Sequence, residues 1–263
     1  MRDLVTFSAP VVFHGDAEPT VGIYGVEGSK PGAAAAAVYL SHRVIRPTRD
    51  GYGKLLGETL FSCRKLYARL LSLAQPGDPF VVVPVARQPS ERAGGDSATI
   101  LAEAARIRDL IDRKSTDEIR GDAAAMTLLR EIGPDENILA YACNAVHPDG
   151  TVNADLALAN RINKAIYTKL SIKPRTDIYG YDMVVSTTDL EEATYGARFL
   201  SDFKRRLGVA GPGTVVTVLR SVVMNPWISE TAAGSFVDVL ALELRRTILA
   251  AVQETVSGRV RGY

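Results

Sequence analysis

The chain has 263 residues, 46% apolar and 23% charged, with a formal net charge of +1. It is long enough for a large core and one or two domains, and so even a charge balance argues against nucleic acid or an anionic membrane as partner. Cys63 and Cys143 are too few for a disulfide framework or a metal set, and no apolar run reaches membrane-spanning length, so the expected setting is a reducing cytoplasm.

Gly25–Val44, GVEGSKPGAAAAAVYLSHRV, reads as a turn feeding a helix. Gly28 and Gly32 bracket Ser29, Lys30 and Pro31, and the alanines from Ala33 to Ala37 favour helix strongly. Ser29 stands at an N-cap position and Pro31 suits the first turn. Free N–H groups with a hydroxyl and a lysine beside them suit an anion such as phosphate; the alternative is a plain capped helix. Pro47 ends that helix.

A second amphipathic helix is expected over Leu55–Leu73, with Leu55, Leu56, Thr59, Leu60, Cys63, Leu66, Leu70 and Leu73 at three- and four-residue spacing and Arg64, Lys65 and Arg69 on a solvated face. Pro76-Gly77-Asp78-Pro79 ends it and marks a domain boundary. Phe80–Val85 reads as a strand, Gln88–Asp96 as a polar loop, and Ser97 as the cap of a helix carrying Ile100, Ala104, Ile107 and Ile111. Ser115–Gly133 reads as helical, Ile138–Asn144 as a strand, and Asn153–Leu170 as a helix. Cys143 reads as a small core residue. Met183–Thr188 is expected to be a strand, Asp189 the cap of a helix through Leu207, and Val215–Val223 a strand with Arg220 its one charge. A closing helix carries Val237, Leu240, Leu244, Ile248 and Val252. The content is α/β, with a separable C-terminal α+β domain.

Two stretches carry a resemblance. EGSKPGAAAAAVYLSHRV followed by GYGKL is similar to the segment after the cofactor lysine in tyrosine decarboxylases, of the group II pyridoxal-phosphate (PLP) amino acid decarboxylases. Thr217–Trp227, TVLRSVVMNPW, resembles a late strand of the same enzymes. The resemblance implies the C-terminal part of a PLP-dependent transferase-like (fold type I) enzyme. Residues 1–76 would then complete the large PLP-binding domain, and 77–263 would form the small domain with an insertion at about 90–135. Gly28, Ser29 and Lys30 would contact the PLP phosphate. Arg220 resembles an arginine associated with the substrate carboxylate; read from the residues alone, an ion pair to a nearby Asp or Glu serves equally.

Departures from the family pattern matter as much. No His-Lys dipeptide occurs in the sequence, so the Schiff-base lysine would come from a companion chain, and this chain would be the C-terminal half beginning at its own initiator Met1. Val11 stands where the family has a proton-donating tyrosine, which leaves His14 as a substitute. Val222 replaces a serine near the substrate, and Trp227 reads as core rather than pocket wall. The expectation is a PLP-dependent carboxy-lyase, active only as a 2+2 heterotetramer with a companion N-terminal-half polypeptide. That companion would cover the apolar face of the Leu55–Leu73 helix. Oxidative decarboxylation or other carbanion chemistry, and a non-catalytic binding or regulatory module, remain the alternatives.

Overall fold

The computed structural model describes residues 32–172, 183–232 and 234–258. Contacts divide the chain into two compact units, Met1–Lys54 and Leu55–Tyr263. In the first, α1 (Gly32–Val44) is the expected alanine-rich helix, and it buries none of its residues. It stops short of Pro47, because a proline ring restricts the residue before it and supplies no N–H.

Helix α2 (Tyr52–Leu71) leads into the second unit. There follow β1 (Phe80–Pro84), the short α3 (Pro89–Arg92), and α4 (Ser97–Ile107), which continues as a π-helical turn over Arg108–Asp112. Then come α5 (Thr116–Gly121), α6 (Ala123–Glu131), β2 (Ile138–Ala145) and α7 (Leu156–Lys169). The chain closes with β3 (Ser186–Glu191), α8 (Glu192–Tyr195), α9 (Ala197–Leu207), β4 (Val215–Val222) and α10 (Phe236–Val256). The strands form one sheet in the order β1-β2-β4-β3, with every neighbouring pair antiparallel.

Successive residues of a strand face opposite sides, and β4 uses both sides. Leu219 and Val223 join a core built from α2, α4, α6, the second half of α7 and α10. Val216 and Val218 join a smaller cluster with Leu200, Phe203 and Leu207 of α9. β2 and β4 pair only from Ile138↔Val222 to Tyr141↔Leu219, and α7 closes the gap beyond. Asn163 accepts from the Cys143 N–H and donates to the Cys143 carbonyl, each at 2.8 Å. Asn160 accepts from Thr217 N–H and donates to the Val215 carbonyl, both at 2.9 Å. Two side-chain amides thus stand in for a missing strand at Cys143, Val215 and Thr217.

Several expectations shift. α2 has no wet face in its middle. Lys65 is only 4% exposed, and Arg69 bridges Asp112 at 2.8 Å and also meets Asp238. Leu66, Leu70 and Leu73 pack into the chain's own core, so that face is not left for a companion to cover. The contact units change after Lys54, and α2 packs into the core of the second unit. Gln88–Asp96 is pinned rather than loose: Glu91 closes a capping box on Gln88 and pairs with Arg206 at 2.8 Å. Asp96, not Ser97, caps α4, accepting from Thr99 N–H. Asp189 caps nothing; it lies in β3 and accepts from the Thr217 hydroxyl at 2.6 Å. β3 begins three residues later than expected, since the buried Met183 and Val185 are lead-in chain and the ladder with β4 starts at Ser186↔Arg220. α9 ends at Gly208, which has a φ of +79° and where a Cβ would stand 2.7 Å from Val152 Cγ1, so a side chain is disfavoured there.

Candidate functional site

The end of β4 opens into a recess of about 530 Å³. Ser221, Val222, Val223 and Met224 form one wall, with Met183 from the approach to β3 and Leu240 of α10 opposite. The lining is mostly apolar, as ligand recesses are. Its fixed polar point is Ser221, whose hydroxyl shares a 3.1 Å hydrogen bond with the buried Tyr141 hydroxyl. Burial raises the Tyr141 phenol well above its ordinary value, so it stays protonated. The strand end is held by Asn137, whose side chain donates to the Val223 carbonyl at 3.0 Å. The following loop is tied down by Ser62, which donates to Ser229 Oγ at 3.1 Å, and by Thr116, which donates to the Ser229 carbonyl at 3.2 Å.

Arg220 sits at this strand end, between Ala140 of β2 and Ser186 of β3. By alternation it shares the Val216–Val218 face, so it lies across the sheet from Ser221 and outside the lining of the recess. Its Nε is buried with no hydrogen-bond partner, and among the described residues no carboxylate pairs with its guanidinium. The ion pair to a neighbouring Asp or Glu is therefore not found among those residues. Val222 lines the recess and is 49% exposed. Trp227 is 60% exposed, which corrects the expectation of a core tryptophan: Asn225 accepts from its backbone N–H at 2.9 Å and turns the chain outward. His14, Gly28, Ser29, Lys30 and Val11 lie outside the described residues.

Other chemistry-bearing groups are spoken for. Burial pushes the Cys63 thiol up to about 11 and raises Cys143 as well, so neither is a thiolate near neutral pH. Burial pulls Lys65 below the ordinary lysine value, with Asp238 opposing it. Among the described residues no group of His, Cys, Asp and Glu could hold a metal ion, and no helix is long and apolar enough to cross a membrane. No lysine lines the recess, so none of its lining residues could anchor PLP covalently. The ion cluster of buried Lys65 and Asp112 with half-buried Arg69 and exposed Asp238 escaped sequence reading, because hydrophobic spacing along α2 carries no sign of partners so far along the chain.

The family model for "Tyrosine decarboxylase, C-terminal" matches residues 103–248, more than half of the chain. The chain belongs to that family. The match includes β2, β4, the whole recess strand and the Thr217–Trp227 stretch, and it takes in most of the segment 90–135 that the resemblance alone marks as an insertion. An L-tyrosine decarboxylase of Levilactobacillus brevis is 28% identical over 88% of this chain and 30% of its own length. One from Enterococcus faecalis is 27% identical over 88% of the chain and 30% of its own length, and one from Enterococcus faecium is 24% identical over 90% and 31%. The chain thus spans about 30% of the length of the curated relatives it matches.

Proposed function

We propose that this chain is the C-terminal subunit of a PLP-dependent amino acid decarboxylase of fold type I, with residues 1–76 finishing the large domain and 77–263 the small domain. The observation that carries the reading is Arg220: a guanidinium on a β-strand inside the family match, with a buried Nε and no carboxylate partner among the described residues. Its hydrogen bonding is incomplete until a ligand completes it, and the planar fork fits a substrate carboxylate. PLP, when bound, supplies the electron sink for the bond that breaks. Ser29, with Gly28 and Lys30, holds the cofactor phosphate. His14 delivers a proton to the substrate α-carbon once carbon dioxide has left. The lysine that anchors PLP comes from a companion N-terminal-half polypeptide, in a 2+2 assembly. Support for the cofactor comes from the resemblance around EGSKPG, and support for decarboxylation from the names of the relatives.

The test is to purify the chain with and without a candidate companion and assay both carbon dioxide and peroxide from a panel of amino acids. The assembled enzyme should release carbon dioxide without stoichiometric peroxide. Arg220→Met should abolish turnover with the cofactor spectrum intact, whereas Arg220→Lys, which keeps charge but loses the fork, should mainly raise KM. Borohydride should fix no PLP onto this chain alone. Stoichiometric peroxide would replace simple decarboxylation with the oxidative reaction. Full turnover by the Arg220→Met enzyme would remove Arg220 from the site.

A further inference from the structure

A second recess, of about 410 Å³, lies away from the end of β4. Arg64 of α2, Arg92 of α3 and Arg130 of α6 line it, together with Arg87 and the turn Ile132–Asp135. Four guanidinium groups from separate elements facing one hollow repel each other unless something balances them. Arg87 is balanced by Asp202, at 2.5 Å. The other three are not. Arg92 donates to the carbonyls of Arg87 at 3.0 Å and Glu131 at 2.7 Å, which orients it without neutralising it. Arg64 has a buried Nε with no partner. Among the described residues neither Arg64 nor Arg130 makes an ion pair. Glu131 and Asp135 also line the hollow, but both side chains are exposed and neither pairs with these guanidiniums, so water screens them.

The recess is held in shape. Gly133 has a φ of +77°, and a Cβ there would stand 3.2 Å from Arg64 Cγ, so the turn lies directly on the Arg64 stem. The Cys63 thiol donates to the Glu136 carbonyl at 3.6 Å and fastens the same turn to α2. Tyr67, one position short of a full turn beyond Arg64, donates its hydroxyl to the Ala86 carbonyl at 3.2 Å and fixes the opposite wall. Arg64 and Arg92 are therefore preorganised, which is what makes an oxyanion site efficient.

We propose that Arg64, Arg92 and Arg130 form a binding site for a small phosphate-bearing anion, a phosphate monoester or inorganic phosphate. The tetrahedral oxyanion can accept from several forks at once, and its second charge answers the guanidiniums left unbalanced; a monocarboxylate offers one face and one charge. The site shares no residue with those assigned to PLP or substrate, and it stands whether or not the decarboxylase reading does.

The experiment is calorimetric titration of the full chain with inorganic phosphate at low ionic strength, with sodium acetate as the comparison arm. Phosphate should bind saturably at about 1 mM or tighter, with acetate at least about tenfold weaker. Arg130→Met, at an exposed position, and Arg64→Met should each weaken phosphate about tenfold with the melting temperature of the free protein little changed. Gly133→Ala should weaken it too, through the displaced Arg64. Raising potassium chloride should weaken binding, since charges this close to water are screened. Absence of saturable phosphate binding, equal affinity for acetate, or unchanged affinity in a folded Arg130→Met chain would each overturn the proposal.

Discussion

Arg206 and Arg220 both lie half inside the same unit, on α9 and β4, and they are treated oppositely. Around Arg206 everything is matched. Its Nε donates to Glu91 at 2.8 Å, and its terminal nitrogens donate to the carbonyls of Val85 at 3.0 Å and Pro84 at 2.9 Å. Glu91 in turn accepts from Gln88 N–H at 2.7 Å. Around Arg220 the strand ladder is complete while the side chain is left with a buried, partnerless Nε. The first corner uses its polar groups to hold α3 and β1 to α9; the second keeps a cation in reserve. A satisfied charge belongs to the fold, and an unsatisfied one points outward to a ligand.

The largest break in that contrast is expected from Arg206→Met. It would leave Glu91 and two carbonyls unpaired in a half-buried corner and should cost about 3 kcal/mol, read as a fall in the urea midpoint at unchanged slope. A loss below about 1 kcal/mol would mean that the corner is wetter than its geometry implies. Asn163→Ala comes next. It removes the partner of both the Cys143 N–H and carbonyl, and should cost about 2 kcal/mol, with faster amide exchange at Cys143. Exchange at Cys143 as slow as in the wild type would show that the gap between β2 and β4 closes by itself. The smallest effect is expected at Arg220, the arginine proposed to hold the substrate carboxylate. Arg220→Met should leave stability within about 0.5 kcal/mol of the wild type, because it breaks no interaction among the described residues. A large loss there would show that Arg220 is structural after all, and the contrast with Arg206 would disappear.

Much of the fold is legible in the order of the residues. The alanine run marks α1, and the periodic apolar runs mark α2, α7 and α10 and place β2 and β4 within a residue or two. Those segments repeat at 3.6 or 2 residues, and burial of one face enforces the repeat wherever the partner lies. The family is legible in Thr217–Trp227, a stretch that falls inside the matched region. Cys143 as a core residue follows from its apolar neighbours.

What the linear order could not contain was pairing at a distance. Whether Lys65 is wet, whether Gln88–Asp96 is loose, where β3 starts and which arginine has a partner all depend on contacts between residues far apart in the chain, such as Arg69 with Asp238 or Arg206 with Glu91. A polar side chain does not announce its partner as an apolar one announces its face, because a hydrogen bond is directional and a specific donor must meet a specific acceptor. The sequence by itself determined the elements and their apolar faces, through local backbone preference and the period of burial. Only the tertiary structure decided the order β1-β2-β4-β3, the amides that bridge its gap, and the arginines left without a partner, since each requires separate segments to be brought within about 3 Å of each other.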